Sequence, residues 1–431
     1  MRILSADWVV PVEGPPIRNG AVAIESGRIS AVGPSSELGE GERYADAVIL
    51  PGFVNAHSHL EYAVYRGFGD GSSFASWLAL HVERKRRIGF AEMEAIARLG
   101  ALECLRSGIT SVGDASFSGA AAPACDTVGL RAVVYLEVFG RDGAALESRF
   151  QPLRARVASS LSDRVRLGIS PHAPYTCSPE LYQACAELGL PLCTHLAEGE
   201  AEREWLVSGT GPWQAFADLL VTPPGRTGIR LLAEDGLLGS HLLAAHCVDV
   251  DEAELDLLAA HDIAVAHCPR SNALLGCGIA PVRELRERGV RVGLGTDSPA
   301  STPSFDMFEE LRAAVMVARA RERQPDALSA AEALELATIG AARALGLGDE
   351  TGSLAPGKEA DLIVLSFAGT AFLPWEDPVT ATVLGGSPER VLATLVAGET
   401  RYEKGGETWP ELTADALSAR SRLLSHAAAT S

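Results

Sequence analysis

The chain has 431 residues, 47% of them hydrophobic, and a formal net charge of −19. That length suits a barrel of roughly 250–300 residues with a smaller module attached, and the acidic balance argues against nucleic acid or an anionic membrane as partner. No stretch of about 20 apolar residues is available to span a bilayer, the start carries Asp7 and Glu13 where a signal peptide would be basic and then apolar, and the eight cysteines form no CxxC pair. A cytoplasmic enzyme with reduced thiols is the expectation.

Residues 3–33 alternate apolar and polar side chains between turn signals and read as short antiparallel strands. Residues 352–365 and 391–402 repeat that pattern near the other end. Together they predict a small composite β-domain built from residues 1–50 and 350–405. Between these ends, residues 51–349 carry short apolar runs: 48–56, 109–113, 132–138, 165–170, 190–194, 242–245, 263–266 and 290–295. Stretches of helical periodicity, such as 90–106, 180–188 and 251–260, separate most of them. Eight such units predict an α/β fold, a closed parallel (β/α)₈ TIM-like barrel. Residues 406–431 read as a C-terminal helical segment.

Most of these runs end on a reactive side chain: His57 and His59, Asp114, His172, His195, His246, His267 and Asp297. The C-terminal mouth of a barrel is where active sites are built. A single histidine at a strand end is readily structural, but this many converging on one mouth is not. In extended chain, residues i and i+2 face the same way, so His57 and His59 can reach one ion. With His195 and Asp297 they form a set suited to Zn²⁺ or Fe²⁺ with a position open for water. Of the three lysines, Lys85, Lys358 and Lys404, none falls on an expected barrel strand. A lysine-bridged second ion is therefore not expected, and one divalent metal is.

Glu198, three residues past His195, is placed to take a proton from a metal-activated water and pass it to a ring nitrogen. Alternatively it is a carboxylate favoured at a helix start. His246 is expected to hydrogen-bond the attacking oxygen. Asp297 is expected both to bind metal and to pass a proton to the leaving group.

Several segments carry a resemblance: Pro51-Gly-Phe-Val-Asn-Ala-His-Ser-His59, His172-Ala-Pro-Tyr175, Thr194-His-Leu-Ala-Glu198, Ala245-His-Cys247, Ala266-His-Cys-Pro-Arg-Ser-Asn272, Leu294-Gly-Thr-Asp-Ser298 and Ser353-Leu-Ala-Pro-Gly-Lys-Glu-Ala-Asp-Leu362. At these residues the chain resembles the amidohydrolase superfamily, in its branch of aminohydrolases and chlorohydrolases. The resemblance implies a mononuclear metal site and, usually, hydrolytic deamination of a purine- or pyrimidine-like ring. His59-Leu60-Glu61, Phe74-Ala-Ser-Trp77, Gly209-Thr-Gly-Pro212 and the run from His267 to Asn272 look most like the aminodeoxyfutalosine deaminases of menaquinone biosynthesis. Deaminases of adenosine, methylthioadenosine or S-adenosylhomocysteine share most of these features. An aryl chloride or cyclic amide hydrolase on the same barrel, and a non-catalytic assembly protein, are the rival readings.

For a purine nucleoside, His172 is a candidate for the ring or ribose, and Trp77 for stacking or core packing. Glu61 and Glu83 are candidates for the ribose hydroxyls, although Glu83 sits in a charged run. Arg270 can pair with a carboxylate or cap a loop. Asp114 and His267 are expected to steady ligands or loops. A homodimer is expected on base rate alone.

Overall fold

Pro51 and Gly52 divide the first apolar run between two sheets. The computed structural model describes residues 1–85, 87–370, 375–406 and 409–425, so the end of the expected C-terminal segment, 426–431, lies outside the described residues. A Cβ on Gly52 would fall 2.1 Å from the Thr110 side chain, so glycine is needed where the chain crosses. The single strand expected over 48–56 is therefore two strands that meet at this crossing.

Before it come β1 (Arg2–Val9), β2 (Ile17–Glu25), β3 (Arg28–Pro34) and β4 (Glu42–Pro51). After it come β5 (Phe53–Ser58), β6 (Ile109–Ser116), β7 (Arg131–Val138), β8 (Val165–Pro171), β9 (Leu192–Leu196), β10 (Leu242–His246), β11 (Ala264–His267) and β12 (Arg291–Leu294). The chain then adds β13 (Leu362–Ser366), β14 (Val391–Val396) and β15 (Glu399–Glu403). Strands from both ends form one mixed sheet in the order β15-β14-β13-β4-β1-β2-β3. Its apolar face includes Leu4, Val22, Ile49, Leu362 and Leu395.

β5 to β12 lie side by side in chain order and pair in parallel, the arrangement of a (β/α)₈ barrel. Closure runs from the last strand to the first: the Asp297 amide donates to the His57 carbonyl at 2.9 Å. β5, β6 and β7 are buried along their whole length, as strands with both faces covered must be. Ala56, Tyr135, Cys193, Leu243 and Ala266 come from five different strands yet share one apolar cluster with Ile339 and Ala341 of helix Ile339–Ala344. That cluster packs the barrel interior with apolar side chains, and the histidines and Asp297 stand at the C-terminal ends of the strands.

Helix Trp409–Ser425 buries Ala416, Ala419 and Leu423 and packs against helix Phe90–Arg106. No helix among the described residues is long and apolar enough to cross a membrane.

Candidate active site

His57 ends up at the tip of β5, His59 just beyond it, His195 within β9 and Asp297 past β12. His59 Nδ1 lies 2.8 Å from the Ala115 carbonyl and His195 Nδ1 lies 2.9 Å from the His172 carbonyl. Carbonyls only accept, so both rings carry a proton on Nδ1, and in the neutral form each presents Nε2 as a lone pair. Those two Nε2 atoms are 3.3 Å apart. Two lone pairs facing each other at that distance repel unless a proton or a metal ion lies between them.

Asp297 Oδ1 is 3.6 Å from His57 Nε2 and 3.5 Å from His59 Nε2. Its Oδ2 accepts from Ser271 Oγ at 2.6 Å and Ser301 Oγ at 2.8 Å, which leaves Oδ1 to face the histidines. His57 Nε2 is buried with no hydrogen-bond partner among the described residues. Separations of about 3.3–3.6 Å suit donors that share one ion with bonds of about 2.0–2.1 Å, so His57, His59 and His195, with Asp297 beside them, fit a divalent metal such as zinc.

Protonation agrees with that fit. Burial, then the neighbouring imidazoles, holds His57 well below the usual histidine range. The same causes push His195 down to about 3. Burial alone would raise Asp297, but His59, His246 and the Ser271 hydroxyl outweigh it and hold the carboxyl below its ordinary range. Neutral imidazoles and an ionised carboxylate are the metal-binding forms.

Beside this cluster Glu198 Oε1 stands 3.6 Å from His246 Nε2. Burial, then the Asp297 charge, raises Glu198 well above the usual carboxylate range. Its backbone is fixed by Glu202, whose two carboxylate oxygens accept from the amides of Ala197 (3.0 Å) and Glu198 (2.9 Å). The turn there puts Ala197 at φ +51°, an unusual conformation for a residue with a Cβ. His246, also left-handed at φ +78°, points Nδ1 at Asn272 Oδ1, 2.9 Å away. Its Nε2 is buried with no hydrogen-bond partner among the described residues and faces Glu198.

His59, His195, Glu198, His246 and Asp297 line a cavity together with Trp77, His81, Glu137 and His172. Trp77 donates from Nε1 to the Ala300 carbonyl at 3.0 Å and its ring lies 4.5 Å from that of His81. An outer, more apolar cavity adjoins it through Leu78, Lys85 and His172, with Phe117, Phe139, Arg149 and Glu83 on its walls. Arg149 and Lys85 both lie over the Phe117 ring, at 4.4 and 4.0 Å from its centroid.

Three side chains expected to read the substrate are placed elsewhere or otherwise engaged. Glu61 is buried, does not line the cavity, and accepts from Ser118 N, Ser118 Oγ and Ala120 N, each at 3.0 Å. It closes the loop ahead of helix Ala121–Val128. Glu83 is largely exposed, pairs with Arg87 one turn on, and reaches only the outer cavity. Arg270 is buried and spends its donors on Glu310 Oε1 (2.5 Å), the Ser304 carbonyl (2.8 Å) and Glu309. Its removal would strand the Glu310 carboxylate in the interior. Arg270→Met is therefore expected to cost about 3–5 kcal/mol of stability, read by urea unfolding. A variant as stable as the parent but weaker toward anionic substrates would return Arg270 to a binding role.

Asp114 Oδ2 accepts from the Leu60 amide (2.7 Å) and Ser58 Oγ (2.9 Å), holding the backbone on either side of His59. Burial pushes Asp114 up to about 7. His267 is buried next to His246 and is pushed down to about 3, chiefly by burial. Sequence reasoning missed Glu137, the one acidic side chain in the otherwise apolar β7 after Arg131. A carboxylate near the end of a buried strand was the available signal. Ser271, Ser301 and Glu202 carry no such signal, because their partners are distant in sequence or on backbone amides.

The Amidohydrolase family profile matches residues 48–401. A 5-methylthioadenosine/S-adenosylhomocysteine deaminase of Syntrophobacter fumaroxidans is 36% identical over 406 residues, 89% of this chain and 88% of that protein. A 5′-deoxyadenosine deaminase of Methanothermobacter thermautotrophicus is 34% identical over 400 residues, 90% of each. Among solved structures, a zinc-bound adenosine deaminase from Xanthomonas campestris superposes with a TM-score of 0.88 at 28% identity over 98% of each chain. The zinc-bound atrazine chlorohydrolase TrzN from Arthrobacter aurescens shares the fold, with a TM-score of 0.84 at 22% identity over 97% of this chain and 100% of that one. A profile match over most of the length, joined to a histidine-rich centre built for a metal, shows that this chain belongs to the amidohydrolase family and is a metal-dependent enzyme.

Proposed function

We propose that this chain hydrolytically deaminates an adenine nucleoside altered at its 5′ position. The observation that carries the reading is Glu198, a buried carboxyl raised well above its ordinary range, which lines the same cavity as the histidine cluster and stands 3.6 Å from His246.

His57, His59, His195 and Asp297 would hold a Zn²⁺ or Fe²⁺ ion, which would supply the Lewis acidity that makes water nucleophilic near neutral pH. Glu198 takes a proton from the attacking water and delivers it to N1 of the purine, which turns C6 into an electrophile. His246 is pinned through Nδ1 to Asn272, and so presents Nε2 to the oxygen that adds at C6. Asp297, its Oδ2 held by two serines, helps move the second proton to the departing amine. Trp77 and His172 flank the space for the nucleoside.

The named relatives support deaminases of methylthioadenosine, S-adenosylhomocysteine or 5′-deoxyadenosine ahead of aminodeoxyfutalosine. One observation keeps aminodeoxyfutalosine as a second reading. The outer cavity joins the Phe117 and Phe139 rings to Arg149 and Lys85, chemistry that suits an apolar 5′ substituent ending in a carboxylate.

The test is kcat/KM for ammonia release by zinc-loaded protein on 5′-deoxyadenosine, methylthioadenosine, S-adenosylhomocysteine, aminodeoxyfutalosine, adenosine and a chlorotriazine. A 5′-altered nucleoside is expected to exceed adenosine by at least about tenfold. Preference for aminodeoxyfutalosine would select the second reading. Chloride release without nucleoside turnover would overturn both.

A further inference from the structure

Glu137 projects from β7 into the cavity and is only 2% exposed, yet no group among the described residues hydrogen-bonds its carboxylate. One of its oxygens lies within 4.8 Å of nitrogens of His172 and His195. A second metal ion does not account for this grouping. His195 uses Nδ1 on the His172 carbonyl, and its Nε2 faces His59 in the first cluster. That leaves two ligands, too few for a closed site.

His172 is also set as an acceptor. The Thr176 hydroxyl donates to the Ala173 carbonyl at 3.2 Å and so accepts from His172 Nδ1–H at 2.9 Å, which leaves Nε2 of that ring bare. Glu137 and His172 thus form a pair of acceptors on one cavity wall, and a ligand that pairs with both must bring two donors. The ring nitrogens of adenine used for recognition, N1, N3 and N7, are acceptors. Its amino group belongs at the metal, beside Glu198 and His246. β7 and β8 lie on one side of β9, whereas His246 lies on β10 at the other. The acceptor pair therefore meets the sugar end of the substrate.

We infer that Glu137, with His172, is the specificity-determining acceptor for the vicinal 2′,3′-hydroxyls of the substrate ribose. The inference rests on the nucleoside reading above. It gives Glu137 the work expected from sequence of Glu61 and Glu83. Burial raises Glu137 above the usual carboxylate range, and Lys85, His59 and Arg149 oppose that shift without cancelling it.

The experiment compares 5′-deoxyadenosine with 2′,5′- and 3′,5′-dideoxyadenosine on zinc-loaded wild type, Glu137→Gln and Glu137→Ala, with metal content measured on each. Wild type is expected to prefer the intact diol by at least about a hundredfold in kcat/KM, because a lost hydroxyl strands a buried acceptor. Both variants are expected to lose that preference, falling about a hundredfold on 5′-deoxyadenosine while changing only a few-fold on the dideoxy nucleosides. Glu137→Gln keeps the volume of the side chain and guards against a folding artefact. An undiminished preference in metal-loaded variants, or none in wild type, would overturn the inference and leave the deaminase reading intact. No turnover of any adenine nucleoside by wild type would overturn both.

Discussion

Glu198→Gln is expected to lower kcat by about a thousandfold, within the range of losses for general acid–base groups, while the protein keeps one metal ion per chain. Glutamine preserves the shape of the side chain and its backbone anchorage to Glu202, because that anchorage is made through the amides of Ala197 and Glu198. What disappears is the proton. A carboxyl raised by burial can shuttle between water and a ring nitrogen, and an amide at the same place cannot. The check is steady-state kinetics with metal analysis on the same sample. Full turnover by a metal-loaded variant would sink the proton-transfer role, and loss of the metal would show that Glu198 acts on the ion instead.

Removing the metal is expected to abolish turnover and also to lower stability. Without a cation, the bare Nε2 atoms of His59 and His195 face each other at 3.3 Å, and Asp297 Oδ1 sits 3.5–3.6 Å from His59 and His57 with nothing to bind. An ion present at a thousandfold over its Kd contributes about 4 kcal/mol to the folded state by mass action. Chelation should therefore lower Tm by several degrees, and stoichiometric zinc should restore both Tm and activity. Calorimetry and ammonia release on stripped and reconstituted protein decide this. A stripped protein with undiminished turnover would remove the metal from the account.

The clustering of the candidate ligands was legible because strand geometry ties them to local sequence. His57 and His59 share a face by the two-residue period of extended chain, and His195, His246 and Asp297 follow short apolar runs. The mixed sheet was legible from the alternation at both ends. The run over 48–56 misled because apolarity does not show where one sheet hands the chain to another. Gly52 marks the place, but only the Thr110 side chain opposite it explains why.

Glu61 and Arg270 misled for another reason. A charge beside a motif looks available, whereas the groups that consume it lie 55–59 residues away for Glu61 and 34–40 for Arg270. Glu137 was overlooked for the converse reason, since nothing in a strand's sequence tells which buried charge lacks a partner. Spacing along the chain reports which residues share a face. It does not report which of them are already satisfied.

The most direct measurement is a turnover of 5′-deoxyadenosine by zinc-loaded protein in ¹⁸O-labelled water, with the purine product and ammonia quantified together. Hydrolytic deamination should give one ammonia per product and one ¹⁸O atom at C6 of a hypoxanthine nucleoside. Free adenine without ammonia, or an unlabelled C6 oxygen in the product, would contradict the claim that this barrel activates water to displace the amine.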